Sequence, residues 1–323
     1  MALPSLAELE TAATTVHAVM PPTPQRVWPL LSARTGTETW VKHENHTPIG
    51  AFKVRGGLTF TEALKREQPN VSGIIAATRG NHGQSIAFAA ARQGLKATIV
   101  VPHGNSQGKN AAMRTFGAEL IEHGNDFQEA LEWTIAEARQ RDLYLVPSFD
   151  LNLVRGVATY AMELFQAAGE LDAVYVPIGL GSGICGVMAA RDALGLKTDV
   201  IGVVSENAAA YALSFAQGEP VSTNSANTIA DGMACRVPVP EALNYIMAGA
   251  ARVITVSDDA VLDAMAAYFT DTHNIAEGAG AAPLAALMSE RSSMAGKRVG
   301  IILSGGNVDP ALYRDALSRC DTQ

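Results

Sequence analysis

At 323 residues, 48% apolar and 17% charged, the chain is long enough for two compact lobes or one large α/β domain. Its net charge of −8 comes without a basic patch, which argues against nucleic acid as a partner. Cys185, Cys235 and Cys320 are too few and too scattered for a disulfide framework or a zinc signature, and no apolar run is long enough to span a bilayer. The opening Met1-Ala2-Leu3-Pro4-Ser5 lacks a basic segment followed by an apolar run, so a cytoplasmic protein without a secretory leader is expected.

In chain order, Leu6, Leu9, Val16 and Met20 have helical spacing, and Pro21-Pro22-Thr23-Pro24 ends that helix. Arg26 to Ser32 reads as a connector, and Thr39-Trp40-Val41 as a short strand. Thr47-Pro48-Ile49-Gly50 is a turn, after which Lys53 sits at the mouth of a helix beginning Val54-Arg55-Gly56-Gly57-Leu58. The amino-terminal end of a helix repels a cation, so an amine there loses its proton more readily, as a Schiff-base lysine must. A solvated turn lysine is the ordinary alternative.

Strand and helix then alternate. Gly73–Ala77 reads as a buried strand, Asn81 to Gln93 as a helix, Ala97 to Pro102 as a strand and Gln107 to Phe116 as a helix. Strands over Ala118–Ile121 and Leu143–Val146 bracket a helix from Phe127 to Arg139. A helix near Leu153 to Ala168 leads to the strand Ala173–Pro177, a glycine loop and a helix through Leu194. Val200–Val204, a helix over Ala208 to Gln217, an irregular stretch from Gly218 to Pro240, the strand Val253–Val256, two helices and the strand Val299–Leu303 complete the series. Such alternation implies parallel sheets flanked by helices. No linker rich in Gly, Ser or Pro and no repeat interrupts it.

Several strand-to-helix junctions carry chemistry. Gly179-Leu180-Gly181-Ser182-Gly183 would let backbone N–H groups close on a phosphate at a helix start. Extended through Ile184-Cys185-Gly186, and with Glu206 after the next strand, the same loop fits a dinucleotide-binding fingerprint. Thr78-Arg79-Gly80-Asn81-His82-Gly83 has amides placed to meet an anion, and Asn81 is also a residue type that caps helices. Ser304-Gly305-Gly306-Asn307 follows the final strand.

Taken together and in order, these segments resemble the fold-type II pyridoxal-phosphate enzymes, in the branch of threonine and serine dehydratases and serine racemase. The resemblance covers nearly the whole chain. It implies two lobes, each a mostly parallel sheet flanked by helices as in the tryptophan synthase β-subunit: residues 1–65 and 153–323 form a large cofactor-binding lobe, and 66–152 a small one. It places pyridoxal 5'-phosphate on Lys53 beside Phe52, with its phosphate on Gly179, Leu180, Gly181, Ser182 and Gly183. Asn81 would meet the ring hydroxyl, Ser304 the pyridine nitrogen, and Glu277 the ring; a solvated or helix-capping Glu277 is the alternative. The substrate carboxylate would fall on Thr78, Arg79, Gly80, Asn81 and His82, with His82 structural rather than catalytic. The implied reaction is dehydration and deamination of 3-hydroxyaspartate, threonine or serine. Because the chain ends shortly after its last motif, the carboxy-terminal regulatory domain of biosynthetic threonine dehydratases is expected to be missing.

Arg79 departs from the pattern, since racemase-like members carry a serine there. Arginine does not give up a proton near neutral pH, so two-base racemisation is disfavoured. A guanidinium suits a second carboxylate, and Arg236 is a further candidate clamp; Arg79 turned outward into solvent is the alternative. The serine hydroxyl at Ser304 is a neutral partner for a ring nitrogen, which favours loss of a β-leaving group over transamination. Relatives of this kind commonly pair as homodimers. A divalent cation such as Mg stays open, because Val204 and Ala210 stand where the relatives' metal ligands align and Glu206 is displaced. The rival enzyme class is a nicotinamide-dependent oxidoreductase; a ligand sensor on an inactive enzyme fold is the non-catalytic rival.

Overall fold

The computed structural model describes residues 2–322, and the side chains of 2–320. Met1, the first residue of the stretch read for a leader, lies outside them. Ten strands form two sheets. In chain order they are β1 (Gln25–Val27), β2 (Glu38–His43), β3 (Gly73–Ala77), β4 (Lys96–Val101), β5 (Glu119–Glu122), β6 (Tyr144–Leu145), β7 (Ala173–Pro177), β8 (Asp199–Ser205), β9 (Arg252–Val256) and β10 (Arg298–Leu303). The larger sheet has the order β1-β2-β10-β7-β8-β9 and the smaller β5-β4-β3-β6. Only the short β1 runs antiparallel to its neighbour among these strands.

Both sheets are covered on both faces, which is why their central strands read as continuous apolar runs. In β3 the strand period sends Ile74 and Ala76 into one cluster with Phe60, Ile86 and Ile99, and Ile75 into another with Val100 and Ala130. β7 is buried along its whole length. The helix Leu151–Ala168 binds the two halves together, with thirteen buried residues among its eighteen. It meets the helix Lys53–Glu67 at two glycines: a Cβ on Gly156 would stand 2.1 Å from the Arg55 carbonyl oxygen, and one on Gly56 2.8 Å from that of Leu153. Across the Lys53 helix, a Cβ on Gly57 would meet Ser85 Oγ at 2.2 Å. The Gly56-Gly57 pair lets one helix pack against two neighbours at near-backbone distance.

Beside that helix lies a buried charge cluster. Arg55 is fully enclosed and donates to Glu44 at 2.7 and 2.9 Å and to Glu163 at 2.6 and 2.9 Å. Lys42 Nζ donates to Glu163 at 2.5 Å, to the Thr23 carbonyl at 2.8 Å and to Gln25 at 2.8 Å. Two cations against two carboxylates, with further donors on the spare oxygens, is the arrangement that lets such groups stay ionised inside.

Two expected stretches come out differently. The connector at 26–32 contains β1 and the start of the helix Pro29–Thr35, and a further helix, Pro240–Gly249, follows the irregular stretch. Both helices begin on proline, and the first ends on Gly36 at φ 71°, the punctuation that marks helix ends. No helix of the described residues is long and apolar enough to cross a membrane.

Candidate active site

Four chain segments leave the carboxyl ends of β2, β3, β7 and β10 and converge on one cavity of about 900 Å³. Crevices at the carboxyl ends of parallel strands are where α/β sheets bind ligands. Phe52, Lys53, Thr78, Arg79, Gly80, Asn81, His82, Gly179 through Gly183, Glu277 and Ser304 all line it.

Lys53 is the first residue of its helix, and two hydrogen bonds stitch the turn before it to the last loop. Phe52 N–H donates to the Ser304 carbonyl at 2.9 Å and Gly306 N–H to the Gly50 carbonyl at 2.9 Å, together making an antiparallel bridge between Ala51 and Gly305. Ser85 Oγ fixes the Lys53 carbonyl at 2.6 Å. The Lys53 amine donates to Ser182 Oγ at 3.0 Å and stands 5.1 Å from the centre of the Phe52 ring. The residue keeps some surface open to the cavity, yet its amine lies deep among protein atoms, and this burial lowers its pKa to about 8.

The glycine loop is shaped as an anion cradle. Gly181 has φ 102°, and a Cβ on Gly179 would stand 2.3 Å from the Gly232 carbonyl oxygen, so neither position accepts a side chain without movement. Tyr160 donates to the Gly183 carbonyl at 3.1 Å and Tyr211 to that of Leu180 at 3.2 Å. With those carbonyls held by phenols, the loop presents the start of the helix Ser182–Ala193, whose partial positive charge suits a phosphate.

The opposite wall differs in detail from the expectation. Gly80 N–H and Gly83 N–H donate to Thr78 Oγ1 at 2.9 and 3.2 Å, so two amides of this loop serve the loop itself. Asn81 is not the helix cap; Gly80 is, and the Asn81 amide is held at both ends. Its Nδ2 donates to Glu277 Oε1 at 2.6 Å, and its Oδ1 accepts from Asn307 Nδ2 at 2.9 Å. Glu277 is 2% exposed, which removes the solvated alternative, and its carboxylate makes no capping bond. Burial pushes its pKa up to about 7 against the pull of Lys109. His82 Nε2 is buried without a partner among the described residues, and burial, with the Lys53 charge adding, lowers the ring's pKa to about 3.

Arg79 lines this cavity and also a second one of about 1000 Å³ beside it. Its Nε is buried with no hydrogen-bond partner among the described residues, so it is not paired at the surface through that atom. Arg236 lines the second cavity alone and is paired with Asp126 at 2.7 Å. As a clamp within the main cleft Arg236 is therefore corrected: its charge is already matched across the mouth. Two cavity residues were missed. Lys109 and Asp231 face each other at 2.6 Å, with Lys109 reaching Glu277 at 3.4 Å. Among the described residues no group of three His, Cys, Asp or Glu side chains is placed to hold a metal. Val204 and Ala210 are buried apolar positions, and Glu206 is exposed.

A family model described as pyridoxal-phosphate dependent enzyme matches residues 18–305. The chain belongs to that family. The biosynthetic L-threonine dehydratase of Escherichia coli (strain K12) is 35% identical over 302 residues, 93% of this chain. The chain spans 59% of that relative's length. Among solved structures, a threonine deaminase from T.th. superposes with a TM-score of 0.88 at 31% identity, covering 95% of this chain and 99% of that one. A pyridoxal 5'-phosphate-dependent aspartate racemase gives 0.89 at 29%, covering 94% and 96%.

The pyridoxal-phosphate family uses that cofactor, and the cavity fits it. An amine of lowered pKa lines the cavity, a glycine cradle with no room for a Cβ closes one end, and the enclosed Ser304 lies on the wall contributed by the last strand.

Proposed function

We propose that the protein is a pyridoxal-phosphate-dependent ammonia-lyase that dehydrates and deaminates a small β-hydroxy amino acid to a 2-oxo acid and ammonia. Serine would give pyruvate, threonine 2-oxobutanoate and 3-hydroxyaspartate oxaloacetate. The observation that carries this reading is the Lys53 amine, lowered to about pKa 8 and 3.0 Å from Ser182 of the glycine cradle.

In this reading Lys53 would hold the cofactor's carbonyl carbon, Gly179 through Gly183 its phosphate, Asn81 its ring hydroxyl and Ser304 its ring nitrogen, with Phe52 and Glu277 serving the ring. When bound, the cofactor supplies the electron withdrawal that makes an α-proton removable. Lys53 would be the base that takes that proton when its amine is free; an amine of pKa about 8 is free in part at neutral pH. The neutral His82 adds no charge beside it. Thr78 through His82 seat the substrate carboxylate, and Arg79, open to both cavities, suits a second acidic group. Isomerisation at the α-carbon is the lesser reading, because a guanidinium stands where a second proton carrier would be needed. We assign residues 66–152 to a small lobe and 1–65 with 153–323 to a large one; every strand of the smaller sheet lies within 73–145. A homodimer is the assembly this reading carries, and sedimentation equilibrium checks it.

The test is the visible spectrum of the purified protein with cofactor, followed by 2-oxo acid assays on L-serine, L-threonine and both diastereomers of 3-hydroxyaspartate. A band near the violet edge that Lys53→Ala removes, with turnover of one of these substrates, is expected. A colourless protein, or a coloured one inert toward the whole panel, overturns the reading.

A further inference from the structure

Lys109 is a buried cation in the cleft that the proposed reaction leaves without a task. It projects from the helix Gln107–Thr115, which follows β4 of the smaller sheet, and is 5% exposed. Its amine crosses the cleft to Asp231 Oδ2 at 2.6 Å and to Glu277 Oε2 at 3.4 Å, both on segments outside that sheet. Its stem fills the space behind the Thr78–Asn81 loop, where a Cβ on Gly80 would stand 2.4 Å from Lys109 Cδ. The other Glu277 oxygen accepts from Asn81 Nδ2, whose Oδ1 accepts from Asn307. Lys109 from one side, and Asn307 through Asn81 from the other, thus donate toward Glu277 in one connected set of hydrogen bonds.

We propose that Lys109 is a positioning residue that acts through Glu277, favouring its carboxylate form so that the Asn81 amide holds one orientation toward the cleft. A carboxylate only accepts hydrogen bonds, which fixes Asn81 with its N–H groups toward Glu277 and the cavity. A protonated Glu277 can donate instead; Asn81 would then turn its Oδ1 to that proton and break the bond to Asn307. The charged groups facing Glu277 are Lys109 and Asp231; Asn81 is neutral, the Gly305 backbone packs on Oε1, and Lys53 and a neutral His82 line the same cavity. Without Lys109, burial and the Asp231 charge act on Glu277 against the Asn81 hydrogen bond alone, and its pKa rises above about 7. The effect on turnover, though not the electrostatics, rests on the function proposed above.

The test compares wild type, Lys109→Met, Lys109→Arg, Glu277→Gln and the double variant Lys109→Met/Glu277→Gln, each with cofactor and without substrate. A carboxyl whose folded pKa lies above its unfolded value loses stability as pH rises between the two, and Lys109→Met extends that loss upward. The thermal midpoint of Lys109→Met should fall several degrees below wild type at about pH 9, and the deficit should shrink near pH 5.5 to the part due to the lost Asp231 pair. Lys109→Arg should recover more than half of the deficit, and the Glu277→Gln background should remove its pH dependence. The acid limb of kcat/KM should move up by about one pH unit or more in Lys109→Met. A deficit constant across pH, or a double variant as impaired as Lys109→Met at high pH, overturns the proposal. If Lys109→Met is insoluble, a soluble double variant supports the proposal and an insoluble one overturns it. Failure of the ammonia-lyase reading would show separately, as absent turnover with the midpoint profiles intact.

Discussion

Lys53 and Arg79 carry the sharpest tests at the scale of single residues. Burial places the folded pKa of Lys53 at about 8, below its ordinary 10.5. Below pH 8 the cofactor-free fold therefore encloses a charge that the unfolded chain would leave in water, and this penalty disappears as pH rises toward 10.5. Lys53→Met should raise the thermal midpoint of the cofactor-free protein at neutral pH, with the two curves converging at alkaline pH. For Arg79 the measure is discrimination. If it grips a second carboxylate, Arg79→Ala should lower kcat/KM for 3-hydroxyaspartate at least about tenfold more than for serine, since losing one side of a charged pair costs well over 1 kcal/mol. Equal losses would leave Arg79 without that role. At this scale the sequence was uneven. Lys53 was legible because a lysine at a helix start is electrostatically misplaced. Lys109 sits in the first turn of its own helix and breaks the same rule, so it could have been found by the same argument. Asp231 offered no such signal, because only the folded loop brings it to Lys109.

Between residues and the whole lie the helix contacts and the glycine loop. Gly156→Ala forces a methyl to within 2.1 Å of the Arg55 carbonyl, backbone against backbone, where no rotamer change relieves it. A loss of about 1–3 kcal/mol is expected in urea unfolding, as for an overpacked core. Gly179→Ala meets the Gly232 carbonyl instead, so it should weaken cofactor binding, measured by titration of the cofactor-free protein. The strand–helix alternation was readable because buried parallel strands leave long apolar runs between glycine junctions. β1 was not, because three residues of an edge strand have no period to detect. The helix Pro29–Thr35 was marked only by its initial proline and the closing Gly36, and Pro240–Gly249 only by its proline.

For the molecule as a whole, the buried cluster around Arg55 fastens β2, the Lys53 helix and the helix Leu151–Ala168 at one point. The Arg55 and Lys42 charges hold Glu163 down to about pKa 2 against its burial, so its stabilisation is lost only as pH falls toward that value. Arg55→Met would leave Glu44 and Glu163 enclosed without their shared partner, at a cost of about 3–5 kcal/mol near neutral pH. That variant should gain more stability than wild type on mild acidification, as Glu163, left with Lys42 and His17 as its side-chain partners, takes up a proton more readily; circular dichroism melts across pH would read this. No sequence pattern announces such a cluster, since its members come from segments far apart in the chain.

Contacts that fasten the mouth of the cleft from one sheet's segments to the other's include Asn81 to Asn307 and Glu277, Ser106 to Asp309, Lys109 to Asp231 and Glu277, and Arg236 to Asp126. Each of these is polar. Water can replace each partner as the two sides separate, so parting them forfeits little compared with peeling apart an oily seam. Contacts of this kind should weaken with ionic strength more than a rim of apolar packing would.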